Sequence, residues 1–144
     1  MTALDDLKAY SYALQEKRAI ERQIERMSIP AAPLGGSGGI HPGGGGTRGT
    51  NDKLASALQQ LEGLEERLAR KLQELSDKAI RGERALDMIG YAKARVIMRQ
   101  YYVLMDSDEK IARELDMGRT TVQRIRKATE ADLDMIETDE NKSA

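Results

Sequence analysis

The apolar residues between positions 108 and 127 change their helical phase once. A first stripe at helical spacing ends, a short interval follows, and a second stripe begins out of phase with the first. In chain order these residues are Ile111, Ala112 and Leu115, then Met117 in the interval, then Val122 and Ile125. The break in phase predicts two short helices joined by a tight turn, which is the pattern of a helix-turn-helix.

The residues at the ends of these two helices support the same prediction. Asp106 or Ser107 can cap the first helix, and Glu109 lies three positions after Asp106, as a capping box requires. Ala112 is small where two steeply crossing backbones approach, and a larger side chain there would cost roughly 1–3 kcal/mol by overpacking. Gly118 stands where the second helix is expected to start.

The second helix is expected to expose a polar and basic face. If Val122, Ile125 and Ala128 point inward, the residues left outside are Arg119, Thr120, Gln123, Arg124 and Lys127. Arg and Gln are the side chains that recognise guanine and adenine edges in a major groove. A charged outer face is also common on helices that are merely solvated, but so many such residues on one short helix favour nucleic-acid recognition.

Two longer helical patterns precede this region. Apolar residues recur at helical spacing from Leu4 to Met27, and a leucine stripe with alternating steps of three and four runs from Leu54 to Ala79, interrupted by Glu65. Each stripe needs a covering partner. The partner is either the other helix, in an intramolecular antiparallel pair, or a second protomer, in a homodimer through the Leu-rich helix.

Glycine and proline positions divide the chain further. The segment from 28 to 51 is rich in Gly and Pro, and Gly82 and Gly90 each disfavour a continuous helix by about 1 kcal/mol relative to Ala. Tyr101 and Tyr102 are expected in core or rim packing rather than in base stacking. We therefore predict an all-α chain with an N-terminal helix at 1–27, a flexible linker at 28–51, a Leu-rich coiled-coil helix at 52–81, a helix-turn-helix domain at 82–131 and an acidic tail at 132–144.

Composition and charge narrow the function. The chain has 144 residues, no cysteine and a net charge of −1, which argues against a generic polyanion binder. That charge is unevenly distributed. Residues 91–128 contain nine Lys and Arg but only five Asp and Glu, whereas the residues from 129 onward contain six Asp and Glu but only one Lys. The acidic segment either competes with nucleic acid for the basic face or is a solvated, frayed end.

No catalytic, metal or cofactor site is expected. The glycine-rich segment lacks both the P-loop pattern and the dinucleotide-binding fingerprint, and His41, the only histidine, lies inside it. Asp106, Asp108 and Glu109 are explained by helix capping, and no nucleophile accompanies them. The start of the sequence does not have the order of a signal peptide, and no apolar run approaches the ~18 residues of a membrane span.

Several segments together resemble a known family. They are Ala9-Tyr-Ser-Tyr-Ala-Leu14, the Gly-rich gap, the Leu-rich helix, Arg95-Val-Ile-Met-Arg-Gln-Tyr-Tyr-Val103, Glu109-Lys-Ile-Ala-Arg-Glu-Leu115 and Arg119-Thr-Thr-Val122. The chain in this layout resembles small phage proteins of the RinA/ArpU type, whose C-terminal helix-turn-helix is similar to region 4 of sigma factors. Two features depart from that pattern: Gly118 stands where the family has Ser or a similar cap, and the acidic extension after Leu133 has no counterpart.

The resemblance implies a phage or prophage regulator of late-gene transcription in the bacterial host cytoplasm, binding double-stranded promoter DNA and also host RNA polymerase. It maps the base-contacting positions onto Arg119, Thr120, Gln123 and Arg124. The charges of Lys110, Arg113, Arg126 and Lys127 suit contacts with phosphates. Two other functions are compatible with the same pattern: a DNA-recognition subunit of phage packaging machinery, and a coiled-coil protein that binds a host factor.

Overall fold

The computed structural model describes residues 1–28 and 47–138, and the predicted all-α class is confirmed for them. Five helices are present in these ranges: α1 (Ala3–Ser28), α2 (Thr47–Asp87), α3 (Ala92–Tyr102), α4 (Asp108–Leu115) and α5 (Arg119–Asp134). Most of the predicted linker, with His41, and the last six residues of the predicted tail lie outside the described residues. No helix in the described ranges is both long and apolar enough to cross a membrane.

The chain forms two compact units whose boundaries differ from the predicted domains. One unit combines residues 1–15 with the chain from Glu74 onward, and the other contains residues 16–73. The first turns of α1 belong to the C-terminal unit because Leu4 and Leu7 are buried in the same cluster as Leu86 and Met98. The sequence pattern identified these apolar residues but assigned them to a separate N-terminal helix, to be covered by the Leu-rich helix or by a second protomer.

Within its described residues, the first unit contains three apolar clusters. The largest joins the start of α1 to the end of α2, to α3 and to Leu133 of α5. A second lies beneath α4 and α5 and contains Ile97, Ile111, Ala112 and Val122, all buried. In the third, Tyr10 and Ala13 of α1 pack against Leu75 of α2.

Residues after α5 pair with the residues that open α1. The backbone N–H of Ala3 donates to the carbonyl of Ile136 at 2.9 Å, and Thr2 forms an isolated antiparallel bridge with Glu137. Thr2 also caps α1, since its hydroxyl accepts from the N–H of Asp5 at 3.2 Å. The described part of the predicted acidic tail is therefore the end of α5 followed by a paired segment, not a frayed end.

Gly82 does not interrupt α2, although the sequence predicted a boundary there. The helix continues to Asp87, and Gly82 is buried against Tyr10. A Cβ atom at position 82 would lie 2.7 Å from the Cβ of Tyr10, so the absence of a side chain is what lets α1 approach α2. Gly90 does lie between helices, in the connection from α2 to α3.

The second unit contains the later part of α1 and most of α2. Among the described residues of this unit, Ile20 and Leu64 are the buried apolar ones, and Lys71 forms an ion pair with Glu16 at 2.8 Å. Leu54, Leu58 and Leu72 of the predicted coiled-coil stripe remain exposed. The intramolecular contacts of this unit therefore cover only part of the stripe.

The contact at Gly82 predicts that Gly82→Ala destabilises the protein although alanine favours helices. The clash with Tyr10 is expected to cost more than the ~1 kcal/mol gained in helix propensity, for a net loss of about 1–2 kcal/mol. Urea unfolding followed by circular dichroism measures this change in the free energy of unfolding.

Gly63→Ala is the matched control, because Gly63 lies in the same helix and a Cβ there meets nothing within 4 Å. It should stabilise the helix by about 0.5–1 kcal/mol. Equal stabilisation by both substitutions would show that the approach of Tyr10 is not a constraint.

Candidate nucleic-acid interface

Helices α4 and α5 are joined by a three-residue turn whose ends are defined by caps. Ser107, rather than Asp106, is the N-cap of α4, and its hydroxyl accepts from the N–H of Lys110 at 3.2 Å. Asp116 ends α4 in the left-handed conformation with φ 53°, which Asp tolerates better than most residues. Gly118 precedes α5 in an extended conformation and, as a glycine, supplies no side-chain cap.

One face of α5 packs into the core of the first unit. Val122, Thr129 and Leu133 are buried and Ile125 is half-buried, whereas Ala128, which was expected to point inward, is exposed. Thr129 occupies the buried position instead. Its hydroxyl donates to the carbonyl of Ile125 at 2.7 Å, so a polar side chain is accommodated without an unsatisfied group.

Arg126 lies at the centre of a polar cluster and does not take the predicted phosphate-contacting position. Its side chain is only 11% exposed, and its guanidinium donates to both carboxylate oxygens of Asp108, at 3.1 and 2.9 Å. It also contacts Glu130 one turn further along α5, and it stacks on the ring of Tyr101 at 4.1 Å from the centroid. Arg126 therefore ties α3, α4 and α5 together.

The two tyrosines of α3 pack in the core and its rim, as predicted. Their rings meet edge to face with centroids 5.0 Å apart. Tyr102 is buried and donates a hydrogen bond to Glu130, and burial, followed by this hydrogen bond, raises the pKa of its hydroxyl. On the same helix Gln100 donates to Glu114 of α4, which adds a second polar link between α3 and the helix pair.

The opposite face of α5 is polar and exposed. Thr120, Arg124 and Lys127 follow one another at steps of four and three, so they line one side of the helix. Arg119 and Gln123 flank this stripe on the side of α4. Arg119 is 61% exposed and pairs with Glu109 at 3.3 Å, and Gln123 is half-buried beside Asp108.

The remaining residues predicted to contact phosphates differ in whether they already form an ion pair within the protein. Lys110 pairs with Asp106 at 3.2 Å while its own side chain stays 51% exposed. Arg113 on α4, with Arg124 and Lys127 on α5, is exposed and forms no ion pair with any residue in the described ranges. These three cations are therefore available to an anionic ligand without first breaking an internal contact.

Charge is distributed unevenly along α5 itself. Its basic residues lie in the first nine positions, and its acidic residues, Glu130, Asp132 and Asp134, lie in the last five. The partial positive charge of the helix N-terminus adds to the basic half. The exposed face is thus electropositive where α5 follows the turn and electronegative toward its other end.

Metal-ligating side chains do not cluster in the part of the chain that the structure describes. Within residues 1–28 and 47–138, no group of three or more His, Cys, Asp or Glu side chains is arranged to hold a metal ion.

Comparison with known proteins finds no match, since no protein-family model, no curated protein and no solved structure corresponds to this chain.

The Asp108–Arg126 pair predicts a pH-dependent contribution to stability. The hydrogen bond from Arg126 lowers the pKa of Asp108 from its ordinary value of 3.8. The pair therefore contributes fully above that value, and its contribution is lost as the pH falls through the folded-state pKa. Asp108→Asn should cost about 1–3 kcal/mol at pH 7, and this cost should shrink below about pH 4.

Urea unfolding at a series of pH values measures this difference. The exposed carboxylate of Asp132 gives the control, since Asp132→Asn should change stability by less than about 0.5 kcal/mol at every pH. A cost of Asp108→Asn that stays constant down to pH 2 would contradict the assigned role of the pair.

Proposed function

We infer that this chain is a sequence-specific DNA-binding transcription regulator of a phage or prophage, with α4 and α5 acting as a helix-turn-helix. The observation that carries this proposal is the exposed stripe of Thr120, Arg124 and Lys127 on a helix whose other face is anchored in the core. A helix of this kind fits the major groove, where a short row of side chains contacts base edges.

The structure supports a division of roles along this face. Arg124 and Thr120 are exposed for base contacts, with Arg119 and Gln123 beside them. Arg119 must leave Glu109 to reach a base, and because both side chains are more than half exposed this exchange costs little. Lys127, Arg113 and Lys110 are assigned to phosphates, whereas Arg126 is a positioning residue that acts through Asp108.

A net charge of −1 favours specific over indiscriminate binding. The acidic second half of α5 repels a phosphate backbone, so contact is confined to the basic first half and the adjoining part of α4. The backbone N–H groups at the start of α5 have no side-chain cap from Gly118 and are suited to a phosphate oxygen.

The resemblance to RinA/ArpU-type proteins extends the proposal to late-gene promoters, with host RNA polymerase as a second partner. A packaging subunit with the same helix pair would assemble into a ring, which sizing in solution distinguishes from a monomer or dimer. A host-factor binder would lack DNA affinity even at low salt.

Direct base recognition predicts that Arg124→Ala weakens binding to the preferred sequence by about 1–3 kcal/mol, or roughly 5–150-fold, because a bidentate base contact is lost. Selection from a random DNA library gives the preferred sequence, and gel-shift titration gives the affinities. Arg22→Ala, which removes an exposed arginine from α1, should leave the affinity unchanged. Equal enrichment of all sequences by the wild-type protein would contradict the proposal.

A phosphate contact by Lys127 predicts a loss of DNA affinity that, unlike that of Arg124→Ala, does not depend on the DNA sequence. Lys127→Ala should weaken binding to preferred and random duplexes alike, and it should reduce the slope of log affinity against log salt by about one. Titrations at several salt concentrations between about 50 and 200 mM give this slope. An unchanged slope would show that Lys127 does not contact a phosphate in the complex.

A further inference from the structure

An open cavity of about 390 Å³ lies within the first compact unit. Its lining comes from one face of α1, from the end of α3 and from the segment that leads to α4, and none of it belongs to the exposed face of α5. The volume lies near the lower end of the ~300–1,000 Å³ that small-molecule sites have, so a ligand with one ring system fits. DNA binding gives this cavity no role.

The α1 side of the cavity consists of hydrogen-bond donors. Four polar residues line it from one helical face, at steps of three, one and three: Lys8, Ser11, Tyr12 and Gln15. They end in an ammonium group, two hydroxyls and an amide, all of which can donate a hydrogen bond. This side of the cavity therefore suits a ligand group that accepts hydrogen bonds.

Two of these donors are not used within the described part of the chain. Ser11 is only 6% exposed, and its hydroxyl accepts from the amide of Gln15 at 3.4 Å but donates to no described residue. Lys8 is exposed and forms no ion pair with a described residue. Buried polar groups normally have their hydrogen bonds satisfied, and one anionic group beside Lys8 would accept from both residues.

The rest of the lining is aromatic and apolar, apart from one carboxylate. It consists of Tyr101, Tyr102, Met105 and Asp106. Tyr102 donates its hydroxyl proton to Glu130, so it offers the cavity its ring. Aromatic rings and a thioether favour contact with another ring. Among the described residues the carboxylate of Asp106 pairs with Lys110, through Oδ1 at 3.2 Å, so Oδ2 can accept from a ligand.

The charges of the lining define the charge of the ligand. Among the described residues that line the cavity, Lys8 is the only cation and Asp106 the only anion. A doubly charged phosphate would meet one cation and be repelled by the carboxylate, whereas a molecule with one carboxylate and one ammonium group satisfies both residues. The ligand is therefore expected to be a zwitterion.

Met105 has a backbone conformation that favours glycine. Its φ is 59°, in the left-handed region, where a residue with a Cβ atom is strained. Strained residues of this kind are concentrated at ligand sites and active sites. Because the side chain of Met105 lines the cavity, the position of this strain agrees with a binding site.

We propose that this cavity binds a free aromatic amino acid. Its carboxylate accepts from Lys8 and Ser11, its ammonium group donates to Asp106, and its ring lies against the tyrosines and Met105. This binding does not depend on the proposed contact with DNA, so either can fail without the other.

Amide NMR shifts of the isotope-labelled full chain, without DNA, test the site with L-phenylalanine and L-tryptophan as probes. A dissociation constant on the order of 1 mM or tighter is expected for molecules of this size. Phenylalaninamide, phenylpropionate and L-alanine lack the carboxylate, the ammonium group and the ring respectively, and each should bind at least ~5-fold more weakly than L-phenylalanine. Absence of binding by both probes at ~20 mM, or equal affinity for any of the three analogues, would overturn the proposal.

Lys8→Gln tests the position of the carboxylate. It should abolish the preference for L-phenylalanine over its amide, with an unchanged circular dichroism spectrum because Lys8 is exposed. Lys93→Gln is the matched control, since it removes an exposed lysine of the same unit that does not line the cavity, and it should keep the preference. A preference that survives Lys8→Gln would contradict the assigned contact.

Met105→Gly tests whether the strained residue serves the ligand. Glycine adopts the observed φ without strain, so the helical circular dichroism spectrum should be retained. The affinity for L-phenylalanine should fall at least ~3-fold, because the side chain that lies against the ring is lost. An unchanged affinity would show that Met105 is not part of the site.

Discussion

The position of the exposed face depends on one largely buried ion pair, between Arg126 and Asp108. A guanidinium in this environment needs partners in several directions, and here they come from Asp108 of α4, Glu130 of α5 and the ring of Tyr101 in α3. Since losing one partner leaves an uncompensated charge, the three helices are held in the arrangement that satisfies all of them. Apolar packing of Val122 and Ile111 brings α4 and α5 together, but apolar contacts alone are less selective about angle. The outward direction of Thr120 and Arg124 follows from this arrangement.

Much of the local structure could be predicted from the sequence, because it depends on residues close together in the chain. The break in apolar phase predicted both helices of the pair, with Val122 and Ile111 inside and Gly118 before α5. It also predicted that Thr120, Arg124 and Lys127 lie outside. Helical periodicity and caps are properties of neighbouring residues, so they can be recognised without knowing the tertiary contacts.

The features that the sequence did not predict depend on distant partners. Arg126 was placed among the phosphate contacts because its carboxylate partner lies 18 positions earlier and no local pattern links the two. Gly82 was taken as a helix boundary because the side chain that requires it, Tyr10, comes from another helix. Ala128 was expected to point inward, but Thr129 is buried instead, since its hydroxyl bonds the carbonyl of Ile125 in its own helix. A charged residue or a glycine in the sequence indicates that a partner or a close approach is needed. Only the tertiary structure shows which residue provides it.

The pairing of Ala3 with Ile136 has a consequence for the order in which the protein folds during synthesis. The core of the first unit needs Leu4 and Leu7 from the start of α1 and Leu133 from the end of α5. At ribosomal rates the second group follows the first by on the order of ten seconds. During that time the apolar residues of α1 have only part of their core, because Leu133 and the rest of α5 have not yet been synthesised. The unit that carries the candidate interface can therefore close its core only after the end of α5 has been made.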